Sequence, residues 1–194
     1  MAKSKQLREL TRKAPSTFEE IEQIVDALRD FPDLSAAITG VALVETSLER
    51  VLTSRLRTLT KEEQERLFGT RGPLGTFDAK IQIGYAIGAL TKPLTEELDT
   101  IRQIRNVFAH SRYPLTFEDA ALADAVLAMK MGAAVRSADL GSKLKLNNKQ
   151  WFVLTIRVLL ILLDSLQKDS RSAEEVLRPA LEESKGVRTA TISE

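Results

Sequence analysis

The sequence has no cysteine and a single histidine, His110. Without thiols there is no disulfide, no thiol nucleophile and no cysteine-ligated zinc, and one imidazole does not make a transition-metal site. No metal and no other cofactor is therefore expected. Aromatic residues make up 5% of the chain, and Trp151 is its one tryptophan. Net charge is also small, at +1 from 28 basic and 27 acidic residues, which excludes a polycationic surface of the kind that binds nucleic acid along its whole length. The longest apolar run, Trp151 to Leu163, is interrupted by Thr155 and Arg157. It reads as shorter than the ~20 residues of a spanning helix, so no membrane segment is expected. Met1 to Leu10 is polar and basic with no apolar stretch behind it, which argues against a secretion signal and for the cytoplasm.

What remains is a chain of 194 residues, 43% hydrophobic and 28% charged, long enough for one domain with a full core. Lys3, Lys5, Arg8, Arg12 and Lys13 against Glu9 mark residues 1–15 as a basic flexible arm, with a solvated terminus and a phosphate-contacting arm as its two readings. Residues 16–184 read as a helical bundle and 185–194 as a disordered tail. Ser16 with Glu19 makes a capping-box start for a helix over about 17–30, ended at Phe31-Pro32. Asp33 is placed as the cap of a helix over 34–58 with the stripe Leu34, Ala37, Val41, Val44, Leu48, Val51 and Leu52. Thr60 and Glu63 open a short helix that ends by Gly69. Phe77 to Leu90 is helical again, as is a stretch from Pro93 and Thr95 to about Arg112, stopped by Tyr113-Pro114. Thr116 is expected to cap the next helix, with Leu122, Val126 and Met129 inward. Ser137 to Lys149 reads as a connector. Gln150 to Lys168 is apolar nearly all round and belongs at the centre of a bundle or in a subunit interface. Ser172 with Glu175 starts a last helix, kinked or shortened by Pro179. The expected fold is all-α, a single-domain bundle of about seven helices.

At about 100° per residue, the helix over 95–112 gathers Leu98, Ile101, Ile104 and Phe108 on its apolar arc, and Arg105 falls inside that arc. Asp99, Arg102, Asn106 and His110 line the polar side. In the helix over 34–58, Glu45 falls in the middle of the apolar stripe. An unpaired inward charge is costly, so the pattern predicts an ion pair between Glu45 and Arg105 across two packed helices.

The stretch Arg105-Asn106-Val107-Phe108-Ala109-His110 resembles the arginine, polar residue, three spacers, histidine signature of HEPN domains. The resemblance implies a helical bundle that often dimerises, and in many members a metal-independent ribonuclease with the motif at the dimer cleft. In that case His110 shuttles a proton for attack by a ribose 2′-hydroxyl, Arg105 holds the growing phosphate charge and Asn106 orients one of them. Arg105 and His110 point about 140° apart on a straight helix, so this chemistry needs an unwound turn near Ala109 or a cleft shared by two subunits. The alternatives are structural: Arg105 in a core pair, Asn106 solvated, and His110 facing the carbonyls of a helix C-terminus.

A broader resemblance covers roughly residues 35–165. Ala42-Leu43-Val44-Glu45-Thr46-Ser47-Leu48-Glu49, the loop Gly72-Pro73-Leu74-Gly75-Thr76-Phe77 and the following Lys80-Ile81-Gln82-Ile83-Gly84-Tyr85 are similar to the mannitol operon repressor family. The resemblance implies a bacterial regulator of carbohydrate operons. No helix-turn-helix, zinc finger or basic recognition helix is present in the pattern, so a protein partner stands beside direct operator contact as the route of repression. The expectation is a homodimeric regulator of transcription with a protein partner, RNA being the partner in the alternative ribonuclease reading and DNA in one that uses the arm. The loop Gly69 to Thr76 has two readings of its own, a geometric turn or an anion loop formed by Gly69, Arg71, Gly72, Gly75 and Thr76 with Lys80 nearby.

Overall fold

The computed structural model describes residues 15, 17–137 and 145–168. The arm at 1–14, Ser16, the helix expected from Ser172 and the tail from Lys185 lie outside the described residues. Within them the fold is all-α, with eight helices. These are α1 (Phe18–Ala27), α2 (Asp33–Arg55), α3 (Lys61–Phe68), α4 (Phe77–Ala86), α5 (Lys92–His110), α6 (Ala120–Ala128), α7 (Lys130–Ser137) and α8 (Asn148–Lys168).

Local signals start most of these helices. Thr60 and Glu63 form a reciprocal capping box at α3, and Thr76 and Thr91 each accept a hydrogen bond from the third residue beyond them, at α4 and α5. The box at α1 is built one residue later than expected, from Thr17 and Glu20. Two expected caps do other work. Asp33 is the first residue of α2 and makes no cap there; its carboxylate accepts the Phe117 N–H at 2.9 Å and lies 3.5 Å from Lys149. Thr116 likewise does not cap α6, which begins after Asp119; the Asp119 carboxylate accepts the Thr116 N–H at 2.7 Å and holds the preceding turn. Helix ends also fall short of the expected ones, α2 at Arg55 rather than residue 58, α4 at Ala86 rather than Leu90, and α5 at His110 rather than Arg112. Beyond α4 the chain turns through Gly88 at φ +71°, a conformation that carries little strain only for glycine.

Helix α8 is the axis of the bundle and packs most extensively on α2, with α1, α6 and α7 also against it. Its 21 residues, with a mean hydropathy of 1.4 in the most apolar stretch, are long and apolar enough to cross a membrane, contrary to the reading of Trp151 to Leu163 as too short. In this fold Trp151, Phe152, Ile156, Leu159 and Leu163 are instead buried in the core. Gly40 brings α2 close to α1 and α8, since a Cβ there would lie 3.3 Å from Leu28 and 3.4 Å from Ile156. Where α5 ends, Phe108, Phe117 and Phe152 stack in series with ring centroids 4.8 Å apart, tying α5 to the start of α8.

Residues 130–137, whose last member was assigned to the connector, form α7. The break between α6 and α7 has a tertiary cause. Glu97 of α5, 2% exposed, accepts the Lys130 N–H at 2.8 Å and the Met131 N–H at 3.0 Å, so a carboxylate from another helix caps α7. Replacing Glu97→Ala leaves those donors without this acceptor. A loss of roughly 1–3 kcal/mol is expected, read by chemical denaturation, with amide exchange accelerating in α7 before α5.

The pH response of α3 follows from its cap. The Thr60 N–H, the Arg57 guanidinium at 2.5 Å and the Thr60 hydroxyl hold the Glu63 carboxyl down at about 2. A depressed carboxylate stabilises the fold fully above its ordinary value of 4.5, and that contribution disappears as pH falls from 4.5 through about 2. Carboxyl NMR is expected to show Glu63 titrating near 2, with α3 protection fading over that window and already weak in Glu63→Gln at pH 7.

Candidate functional site

The Lys80 ammonium is the organising charge of the face shared by α2, α4 and α5. Lys80 is 5% exposed and lies 2.8 Å from Glu49 and 2.9 Å from Glu45. Burial works against its charge, but hydrogen bonds to Glu49 and Glu45, reinforced by their negative charges, outweigh burial and raise its pKa above the ordinary lysine value. Helix α4 turns Phe77, Lys80, Ile81 and Gly84 inward together. At Gly84 a Cβ would lie 2.8 Å from Leu90, so the absent side chain lets the chain beyond α4 fold back against the helix, while Leu52 of α2 stands at an ordinary contact distance of 3.5 Å. The inward face of α4 carries Lys80 to the two carboxylates.

Arg105 is the second and longer contact of Glu45, with Nη2 3.8 Å from Oε2. The expected pair is thus present as a distance but is not the principal one, because Lys80 is closer and more deeply buried. Arg105 is also not fully turned inward, its side chain being 31% exposed. Beside it Arg102 binds Asp99 at 2.6 Å and approaches Asp78 of α4 at 3.5 Å. The result is an ionic layer of two neighbouring groups, Lys80 and Arg105 with Glu45 and Glu49, and Arg102 with Asp78 and Asp99. Lys80, absent from the predicted pair, was detectable in the sequence: it occupies the Phe77, Ile81, Gly84 arc of its own helix, the same sign that singled out Glu45.

The other motif residues do not join this layer. Helix α5 is continuous through His110, so the unwound turn near Ala109 does not occur. Arg105 and His110 remain about 140° apart around one helix and about 7–8 Å apart along it. His110 is exposed and Asn106 half-buried, and neither makes a side-chain hydrogen bond among the described residues. One copy of the chain therefore does not assemble Arg105, Asn106 and His110 into a single reaction centre. Among the described residues there is also no cluster of three acidic or histidine side chains that would hold a metal ion.

The glycine loop is used as a turn. The Gly72 N–H donates to the Gly69 carbonyl at 2.7 Å, Leu74 to Leu67 at 2.9 Å and Gly75 to Gly72 at 3.0 Å, so these donors point into the loop rather than toward an anion. A Cβ at Gly69, Gly72 or Gly75 would come within 2.3–2.4 Å of a backbone carbonyl oxygen, which explains the glycines sterically. Thr76 caps α4, Arg71 is exposed, and Lys80 is committed to Glu45 and Glu49, away from the loop.

Removing the ammonium tests the ionic layer. Lys80→Met keeps the stem but leaves two carboxylates facing each other, and a loss of roughly 2–4 kcal/mol is expected, with Tm falling by about 5–15 °C. Because the lysine pKa is raised, its contribution is complete below 10.5 and is lost as pH rises past that value. The gap between wild type and variant should therefore stay constant from neutral to mildly alkaline pH and narrow only beyond it. Adding Glu49→Gln to Lys80→Met should recover part of the loss.

No family model matches the chain, and no curated protein does. Among solved structures, a chain of the X-ray structure of the MtlR-HPr complex from Escherichia coli is similar, with a TM-score of 0.59 and 17% identity. The match covers 72% of this chain and 95% of that one. At this identity the likeness concerns the fold, and the all-α bundle described above is MtlR-like.

Proposed function

We propose that this protein is a transcriptional regulator of the mannitol operon repressor kind that acts by binding a protein partner rather than by reading DNA. The likeness of nearly the whole of a chain from the MtlR-HPr complex to this bundle is the observation that carries the reading. The partner expected by that likeness is HPr or a protein with an HPr-like surface. The charge balance also favours a protein partner, since a net charge of +1 gives no protein-wide attraction for a polyanion.

The surface assigned to the partner is the end of the bundle where α2 starts and α5 stops. Tyr113 is 81% exposed there, and Leu34 and Ile38 of α2 are also exposed. The Asp33–Phe117 hydrogen bond holds the two segments together. An exposed aromatic ring with Arg112 and His110 close in sequence, together with exposed aliphatic side chains on α2, supplies the composition of an interface centre with a polar rim.

Titration calorimetry with HPr from the same organism is expected to show saturable binding with Kd at or below about 10 μM, weakened about tenfold or more by Tyr113→Ala. No heat of binding at high concentration rejects the HPr partner. The same preparation, incubated with mixed RNA in EDTA, is expected to leave it intact; cleavage abolished by His110→Ala would replace this reading with a ribonuclease shared between two copies.

A further inference from the structure

A cavity of about 290 Å³ opens where the end of α1 meets the N-terminal half of α8. Its walls are Arg29, just beyond α1, Leu146, in the segment that leads into α8, and Gln150, Val153, Leu154 and Arg157 of α8. The four α8 residues stand at i, i+3, i+4 and i+7, so one face of that helix forms the floor.

The lining combines apolar walls with polar groups that are all donors. Val153 is buried, and Leu146 and Leu154 are half-buried against the core. Arg29 is exposed, and its guanidinium makes no hydrogen bond or ion pair among the described residues. Gln150 accepts the Asn147 N–H at 3.0 Å with its carbonyl oxygen, which leaves its amide N–H groups without an acceptor among the described residues. Arg157 is fixed in place by α1: its Nη2 donates to Asp26 and its Nε lies 3.2 Å from Glu22. The hydrogen bond and charge of Arg157, with a further contribution from the charge of Arg29, hold the Asp26 carboxyl below its ordinary value against desolvation. Neither carboxylate is part of the cavity wall. The cleft toward the ends of α2 and α8 differs in this respect, because the Glu49 carboxylate stands in its wall with Arg50.

A site that offers cationic and amide donors on apolar walls selects an anion with an apolar body. A strongly hydrated dianion would lose water against leucine and valine side chains that cannot replace it. The volume is about twice the ~150 Å³ of an apolar cavity that takes up benzene, which is room for a monocarboxylate of roughly six to eight carbons.

We propose that this cavity binds a small aliphatic or aromatic monocarboxylate, its carboxylate held by Arg29 and the Gln150 amide beside Arg157 and its apolar body against Leu146, Val153 and Leu154. Arg29 belongs to the α1 side of the cavity and the other contacts to α8 and the segment before it, so an occupied site ties α1 to α8 and stabilises the bundle. The site takes no part in the HPr reading and stands independently of it.

The test uses the full-length protein with hexanoate, benzoate, acetate, hexanol and hexylamine as probes, followed by calorimetry and by the fluorescence of Trp151, the one tryptophan and the neighbour of Gln150. Hexanoate and benzoate are expected to bind saturably with Kd on the order of 1 mM or below, and to raise Tm with occupancy. Acetate lacks the apolar body and hexanol the charge, so each is expected to bind at least tenfold more weakly, and hexylamine not at all. Arg29→Gln, at an exposed position outside the helices, should weaken hexanoate at least fivefold and leave the Tm of the free protein unchanged. Leu154→Trp fills the cavity and should abolish binding, with circular dichroism checking that the bundle is intact. Leu146→Trp, outside the helices, closes it without touching α8 and should do the same.

No saturable binding of hexanoate or benzoate up to about 20 mM would overturn the proposal, as would hexanol binding as tightly as hexanoate. Binding unchanged by Arg29→Gln, or by both tryptophan variants, would put the ligand elsewhere on the protein and overturn the site equally.

Discussion

One buried ammonium holds the polar side of this bundle together. Lys80, between Glu45 and Glu49, biases the register of α4 on α2: these carboxylates stand one turn apart, so shifting one helix along the other by a turn would leave one of them without the lysine. One turn further along, Gly84 meets Leu52 of α2 at ordinary contact distance and is packed closely by Leu90. A buried ion pair contributes uncertain net stability against an apolar replacement. Its larger effect here is that alternative registers become costly, because each leaves a charge unpaired in a region of low dielectric.

That choice determines what α5 presents. With Glu45 engaged by Lys80, Arg105 keeps a looser 3.8 Å contact and remains partly exposed at the edge of the ionic layer. Helix α5 is fastened at both ends by long-range contacts, Glu97 capping α7 near its start and the stack of Phe108, Phe117 and Phe152 near its finish. Its last turn is therefore firmly positioned, and the loop that follows projects Tyr113 into solvent from a rigid base. An exposed ring on a fixed support loses little conformational freedom on docking, which suits a surface for recognition by a protein partner.

The two ends of the bundle differ in character. Leu34 and Ile38 near the start of α2 and Tyr113 beyond the end of α5 are exposed, whereas toward the ends of α2 and α8 lies a polar cleft that includes Glu49, Arg50 and Gln167. A chain of the MtlR-HPr complex shares this fold.

Much of this was legible in the residues alone. Helical periodicity located seven of the eight described helices to within a few residues, and the Thr60–Glu63 box of α3 acts over three residues of chain, which is why it could be read without a structure. The inward positions of Leu122, Val126 and Met129 followed from the same periodicity, and the apolar character of α8 all round pointed to the core, where Trp151, Phe152, Ile156, Leu159 and Leu163 are buried while Ile161 stays exposed. What the sequence could not decide was partnership between distant residues. Glu45 is 35 positions from Lys80, Glu97 is 33 from Lys130, and Asp33 is 84 from Phe117. Asp33 looked like a cap and Glu45 like the partner of Arg105, while Glu97 drew no reading, because helical wheels orient a side chain about its own axis and carry no information on which helix arrives opposite. Only the packed structure, in which absent glycine side chains let particular helices approach, determined which cation and which N–H groups those carboxylates received.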